Sequence, residues 1–409
     1  MIIIEDKKKC CGCMACVQRC PHQCITIEAD AEGFSYPLVD ESICINCGLC
    51  ENVCPVINQS ETAQPVIIYA AKNKDKQVVS ESSSGGVFPA MAEAVIEKGG
   101  VVFGARFDDN WQCKLDYAES LEGIKVFRGS KYVQARTDTA YKDALRFLKV
   151  GRMVLFSGTP CQIAGLKRFI KREYDNLITV CVICHGVPSP GIWEDYKRQI
   201  PVKLVAGKNT VFSFLKSLPV ITGINFRDKT EGWKKYGFSA KGVADRREAK
   251  NSVFPPVIYS FSEYHQKHVY MRGFLNNLYL RPSCYSCPAR KGKSGADIQL
   301  GDYWGVQRRS PAFYDPMGVS LVLIYTDKGN KLFNEINFDV AQASYADVID
   351  CNVNVEIDEK EPSVRSEFFY HYSKHGLSAI SKYCNRIENH DFLWYCKKVY
   401  VKLIKTVKK

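Results

Sequence analysis

The chain has 409 residues, 46% hydrophobic and 24% charged, which excludes one small core and makes two or three folded domains the natural expectation. No apolar run approaches the roughly 20 residues a bilayer span needs, and the stretch before Lys7-Lys8-Lys9 is too short for a secretory leader, so a cytoplasmic address is expected. The formal charge of +12 suggests nucleic acid, but no recognition motif accompanies it and that partner class is set aside.

Ten of the 19 cysteines lie before residue 55. In a reducing compartment such density points to metal or redox chemistry rather than disulfides. Two runs share one spacing, Cys10-x2-Cys13-x2-Cys16-x3-Cys20-Pro21 and Cys44-x2-Cys47-x2-Cys50-x3-Cys54-Pro55. Cysteines spaced by two place three thiolates around one compact loop. The fourth is expected to open a short helix and reach across to the other cluster. Two 4Fe-4S clusters follow, one on Cys10, Cys13, Cys16 and Cys54 and the other on Cys44, Cys47, Cys50 and Cys20. Zinc prefers two separated C-x2-C pairs and fits this pattern poorly. Cys11 and Cys24 are surplus and read as packing. The stretch resembles the bacterial two-cluster ferredoxin domain, an α+β unit over residues 1–60.

After the polar linker 58–65, Val66–Ala71 reads as a strand. Ser82-Ser83-Ser84-Gly85-Gly86 then opens a helix over Val87–Lys98, and Val101–Phe107 is the next strand of a β-α-β unit. Further on, the strand Arg152–Phe156, the loop 157–161, the helix Gln162–Arg172 and the strand Leu177–Ile183 repeat the alternation. A second loop, 184–190, leads into a helix around Trp193–Arg198, and Thr222–Phe226 is strand-like. Strands alternating with helices predict an α/β fold with a mainly parallel sheet.

In such sheets ligands gather where loops leave the strands. Cys161 and Cys184 sit in loops after two successive strands, which should be neighbours, and Cys284-x2-Cys287 supplies a close pair. A third 4Fe-4S cluster on Cys161, Cys184, Cys284 and Cys287 is one reading; zinc, or plain buried thiols, are the others. Cys181, inside its strand, is core.

Five motifs then occur in order: Ser84-Gly85-Gly86, Gly129-Ser130-Lys131-Tyr132, Gly158 to Leu166 (GTPCQIAGL), Cys184 to Ser189 (CHGVPS) and Ala296 to Gly305 (ADIQLGDYWG). Together they resemble the family formed by the beta subunits of coenzyme F420-reducing hydrogenases and related dehydrogenases, over roughly residues 65–345. The resemblance implies an FAD-binding α/β core with a cluster beside the flavin, and it places the family's four cluster cysteines on Cys161, Cys184, Cys284 and Cys287. It places the flavin contacts on Ser84, Gly85, Gly86, Ser130, Lys131, Tyr132, Gly301 and Asp302. A serine-glycine turn at a helix start suits a phosphate, with a plain N-cap as the alternative for Ser84. Lys131 would neutralise a phosphate or the flavin, Asp302 would orient the ribityl chain, and His185 is either near the cluster or structural. Three clusters at about −2 each and a flavin dinucleotide would remove about 8 units, leaving a net charge of roughly +4.

The expected divisions are 1–60 (two-cluster domain), 65–148 and 149–345 (first and second parts of the flavin- and cluster-binding core) and 346–409 (a helical tail). The expected function is an iron–sulfur flavoprotein oxidoreductase of unknown substrate, with no residue assigned as catalytic. It would link ferredoxin or another redox protein to a small organic molecule or a deazaflavin. The alternative is an electron-transfer subunit serving a separate catalytic partner. Residues 391–409 pattern as a basic amphipathic helix, which suits either peripheral membrane contact or simple packing.

Overall fold

The computed structural model of the chain describes residues 1–206, 217–245 and 256–389, so the tail pattern at 391–409 lies outside the described residues. Among them no helix is long and apolar enough to cross a membrane.

The N-terminal lobe holds α1 (Ala15–Arg19), the antiparallel pair β1 (Ile25–Ala29) and β2 (Ser35–Val39), and α2 (Leu49–Asn52). Met14 and Gly48, just before the helices, take left-handed φ values of 58° and 72°, which turn each cysteine loop sharply into its helix. Cys20 and Cys54 fall just past the helix ends, not at helix starts as the spacing predicted. The single helical turn forms around Cys16 and Cys50 and separates the third thiol of each run from the fourth.

The main sheet takes the strands β3 (Ile67–Lys72), β4 (Val101–Phe107), β5 (Cys113–Ala118) and β6 (Val154–Gly158). It is completed by β7 (Leu177–Val182), β11 (Ile298–Asp302), β12 (Ser320–Ile324) and β13 (Asp339–Gln342), in the order β13-β3-β12-β11-β7-β6-β4-β5. The strands β4, β6, β7 and β11 form a parallel centre, and β3 runs the same way. The antiparallel β5, β12 and β13 complete this α/β sheet. The predicted neighbours β6 and β7 pair in parallel, whereas β3 and β4, read as one β-α-β unit, lie four strands apart.

The helices α3 (Lys76–Glu81), α4 (Val87–Glu97), α5 (Ala140–Lys149) and α6 (Pro160–Ile170) connect or flank these strands. Apolar side chains fill both faces of the sheet: Phe103, Phe147, Phe156 and Leu166 on one, Met91, Val95, Leu155 and Val322 on the other. Thus α4 is amphipathic toward one core and α6 toward the other. The chain then passes through α7 (Pro190–Lys197) and α8 (Ile200–Val205) into a three-stranded antiparallel sheet. Its strands are β8 (Val220–Asp228), β9 (Gly237–Ala244) and β10 (Val257–Tyr264), followed by α9 (Val269–Leu275). Their aromatic core, Trp193, Tyr196, Phe226, Phe238 and Tyr270, also receives Phe368 from the C-terminal helix. Beyond β11 come α10 (Val306–Arg309), α11 (Asp327–Asn334), α12 (Tyr345–Cys351) and α13 (Arg365–His375), and residues 378–389 are again helical.

The N-terminal lobe is seated directly on the core. Gly33 has φ +81°, and a Cβ there would lie 2.6 Å from the backbone of Gly191 in α7. Beside it Ser189 Oγ donates to the Glu32 carbonyl at 2.5 Å, and Arg365 forks onto the Glu32 carboxylate, one bond at 2.7 Å. Gly33→Ala is therefore expected to destabilise the chain by about 1–3 kcal/mol, through overpacking plus left-handed backbone strain. The check is a lower urea midpoint than that of the parent chain.

Candidate functional site

Three cavities are lined by cysteines. The first is bordered by Cys10, Cys11, Cys13, Cys16 and Cys54. The second is bordered by Cys20, Cys24, Cys44, Cys47 and Cys50. Each cavity therefore collects three cysteines of one run and the fourth of the other. The thiols crowd one another as well as being buried. Burial pushes Cys16 up to about 12, with Cys10 and Cys54 adding to the shift. Thiols in this state become thiolates only beside a compensating positive core, which is what an iron–sulfur cluster supplies. Among the described residues no group of three or more His, Cys, Asp or Glu converges to hold a single metal ion; the thiols stand around the cavities instead.

Cys24, read as packing, lies 3.4 Å from the Cys20 sulfur and borders the second cavity. Cys11 is buried at 5% exposure and borders two cavities at once. Its thiol is pushed well above the usual range, with the Cys13 sulfur the largest cause, Cys161 opposing and burial adding.

The third cavity is lined by Cys161, Cys184, Cys284 and Cys287, together with Cys11, Arg290 and Gln299. Cys161 stands in the first turn of α6, after β6, and Cys184 follows β7, so two neighbouring parallel strands deliver both to one sheet edge. Cys284 and Cys287 arrive on the turn 282–286, where the Cys284 sulfur accepts the Val187 amide at 3.4 Å. Burial raises Cys284 to about 12 and Cys287 to about 11, and Cys184 goes well above its usual value. The four residues suit a cluster for the same reason as the first two sets. Cys181 is 1% exposed and packs in the sheet core. His185 is braced by Glu359 at 3.0 Å and meets Phe274 edge-on.

The segments assigned to flavin converge on Arg227, which is 3% exposed. Its guanidinium donates to the Ser83 carbonyl at 3.2 Å, pairs with Asp302 at 3.1 Å and lies 4.0 Å over the Tyr236 ring. Asp302 also accepts from Trp233 Nε1 at 2.6 Å, and Trp233 stacks on Trp304 with ring centres 4.8 Å apart. Ser130 joins through its amide and hydroxyl to Ser83 Oγ, at 2.8 and 2.9 Å, and Tyr132 packs on Phe226. Sequence reasoning missed Arg227, Trp233 and Tyr236, which come from the irregular stretch 205–262.

Several finer roles do not survive. Ser84 is no N-cap: Gly86 stands at that position, and Ser84 Oγ donates to the Val319 carbonyl at 2.9 Å. The Gly85 amide is taken by Ser320 Oγ at 2.9 Å. Lys131 spends its ammonium on the carbonyls of Val126, Arg128 and Gly129 at 2.9, 2.8 and 3.1 Å. Gly301 is tight against Ile183, which a Cβ would approach to 2.6 Å. The polar group left open is Arg227 Nε, buried and without a partner, and it suits an electron-rich ligand at this convergence. The link to the third cavity is short, because Gln299 lines that cavity and Asp302 stands three residues on, about 10 Å along β11.

Cysteine-lined cavities run from this buried polar centre to Cys47, which is exposed at the surface. That arrangement on an α/β core defines an iron–sulfur redox protein. Residues 9–58 are a 4Fe-4S dicluster domain, and residues 151–345 belong to the family described as the C terminus of the coenzyme F420 hydrogenase/dehydrogenase beta subunit. The F subunit of the F420H2 dehydrogenase of Methanosarcina mazei is 27% identical over 185 residues, 42% of this chain and 51% of that protein. The coenzyme F420-dependent sulfite reductase of Methanocaldococcus jannaschii is 28% identical over 177 residues, 40% of this chain and 26% of that protein. The PorD subunit of the pyruvate synthase of Thermotoga maritima is 46% identical over 53 residues, 13% of this chain and 48% of that protein. The matches thus span about half the length of these relatives, or less.

Proposed function

We propose that the chain is a two-to-one-electron converter, an FAD- and iron–sulfur-dependent oxidoreductase that joins an organic or deazaflavin substrate to a one-electron carrier such as ferredoxin. The observation that carries this reading is the continuity of the path. The polar centre at Arg227 and Asp302 adjoins the cavity of Cys161, Cys184, Cys284 and Cys287, that cavity shares Cys11 with the next, and the last reaches the surface at Cys47. In this reading the twelve predicted cysteines hold three 4Fe-4S clusters, and Arg227, Asp302, Ser130 and Tyr132 hold the flavin. Flavin supplies two-electron exchange with an organic substrate and one-electron exchange with a cluster.

The protein's own residues fix positions and exclude water. Arg227 and Asp302 keep their charges paired in a nearly closed site, and Trp233 and Trp304 wall it off. The cavity thiolates are neutralised by their metal core, and Cys11 fills the space between two of the cavities. The expected site of action is the cytoplasm.

Anaerobic purification is expected to give about 12 iron, about 12 sulfide and one FAD per chain. Zinc in place of iron, or a colourless chain made without air, rejects the reading. A second reading, an electron-transfer subunit serving a separate catalytic chain, is favoured by the Methanosarcina relative, which is itself one subunit of its dehydrogenase. Steady-state turnover of the isolated chain with a viologen donor separates the two: turnover supports the enzyme, and reducible centres without turnover support the alternative.

A further inference from the structure

We propose that Arg281 is the counter-charge of a cluster on Cys10, Cys13, Cys16 and Cys54, and that it holds the reduction potential of this cluster above that of its sister. The proposal rests on the reading of the cysteine cavities as cluster sites.

Arg281 is 0% exposed, and among the described residues no carboxylate pairs with its guanidinium. Its Nε donates to the Cys10 carbonyl at 2.7 Å and one Nη to the Ser35 carbonyl at 3.0 Å. The other Nη donates to Gln134 Oε1 at 3.1 Å, and the Cys10 sulfur lies 3.5 Å away. The Tyr36 ring covers it at 4.3 Å. Neutral acceptors solvate the guanidinium but do not cancel its charge. An arginine cannot shed its proton, and a buried charge without a counter-charge costs several kcal/mol. A cluster with four thiolates, at about −2, supplies that counter-charge at the sulfur Arg281 touches.

The cluster loop is shaped around this contact. A Cβ on Gly12, which has φ +70°, would come within 2.9 Å of the guanidinium carbon. Arg281 also belongs to the third cavity's own turn, because the Cys284 amide donates to its carbonyl at 2.8 Å. One cation is thus clamped between two neighbouring cavities. The cavity of Cys20, Cys44, Cys47 and Cys50 is bordered instead by Met1, whose ammonium is already paired with Glu51 at 3.3 Å.

Reduction adds negative charge to a cluster, and a fixed cation with N–H bonds at the thiolate favours the reduced form. Electrons leaving the third cavity would therefore meet the easier-to-reduce cluster first. The test is a redox titration followed by electron paramagnetic resonance, on chains whose iron and sulfide have been counted. The sister cluster is identified through the spectral change in Cys47→Ser. Arg281→Gln is expected to make reduction of the Cys10 cluster at least tenfold less favourable, 59 mV for one electron. The sister's potential should hold, and Arg281→Lys should recover part of the loss. An unchanged potential, or an equal shift of both clusters, overturns the proposal. Where Arg281→Gln fails to assemble, the parent chain grown with 15N-arginine decides: the reduced Cys10 cluster is expected to show a coupled 15N nucleus, and its absence overturns the proposal. A chain without iron would instead bring down the reading of the cavities, which the metal count reports separately.

Discussion

Cys284→Ala is expected to lower the iron content from about 12 to about 8 per chain and to stop electron passage from an organic donor to the N-terminal clusters. The thiol it removes is one of four around the cavity of Cys161, Cys184 and Cys287, and alanine offers no ligand in its place. The eight N-terminal ligand cysteines line separate cavities, so their clusters should still assemble and be reduced directly by dithionite. Two measurements thus move apart: spectroscopic reduction by dithionite persists, while reduction through the substrate falls to background. Cys181→Ala is the control. That thiol is 1% exposed, packs within the sheet and lines none of the three cavities, so its loss should cost about 1–2 kcal/mol of stability and no iron. Iron that stays near 12 in Cys284→Ala would show that the third site does not depend on this residue.

The eight N-terminal cysteines were legible because cluster ligation is written in short spacings. Three thiols two residues apart can only surround one loop, and their crossing with the other run follows from the length of one helical turn. Cys161 and Cys184 were legible for a different reason: each follows a strand, and the strands were expected to pair. What could not be read is what long-range closure decides. The same local pattern that marks β3 and β4 as strands says nothing of the four-strand gap between them. Arg227 and Arg281 look like ordinary surface cations in sequence, and only the fold buries them, one against Asp302 and the other against Cys10. A faint signal existed for Arg281, which precedes the Cys284 pair by three residues. The doublet Cys10-Cys11 likewise marked a surplus thiol that packing alone did not explain, and Cys11 borders two cavities. The glycines of the flavin motifs misled at the level of roles. Gly85 and Gly301 are glycine because Ala71, Ser320 and Ile183 press on them, so backbone packing satisfies the motif as readily as a ligand would.

Asp302→Ala should be the most destabilising change in the polar centre, by about 3–5 kcal/mol, because it strips the carboxylate from a buried guanidinium. Arg227 has a side chain only 2% exposed and Asp302 is its ion-pair partner at 3.1 Å, so alanine leaves the charge without compensation. The indole of Trp233 loses its acceptor in the same step. Asp302→Asn separates these losses: an amide oxygen still accepts from Trp233 and Arg227, but the negative charge is gone. Its unfolding free energy is expected to fall between that of the parent and that of Asp302→Ala. Flavin content then reports on the second role. Where the pair also holds the cofactor, Asp302→Asn, folded and with its iron at the parent level, should purify with less FAD and regain it only at raised flavin concentration. A folded Asp302→Asn chain with full flavin occupancy would confine Asp302 to stabilising the Arg227 charge, and the flavin would have to be held by other residues.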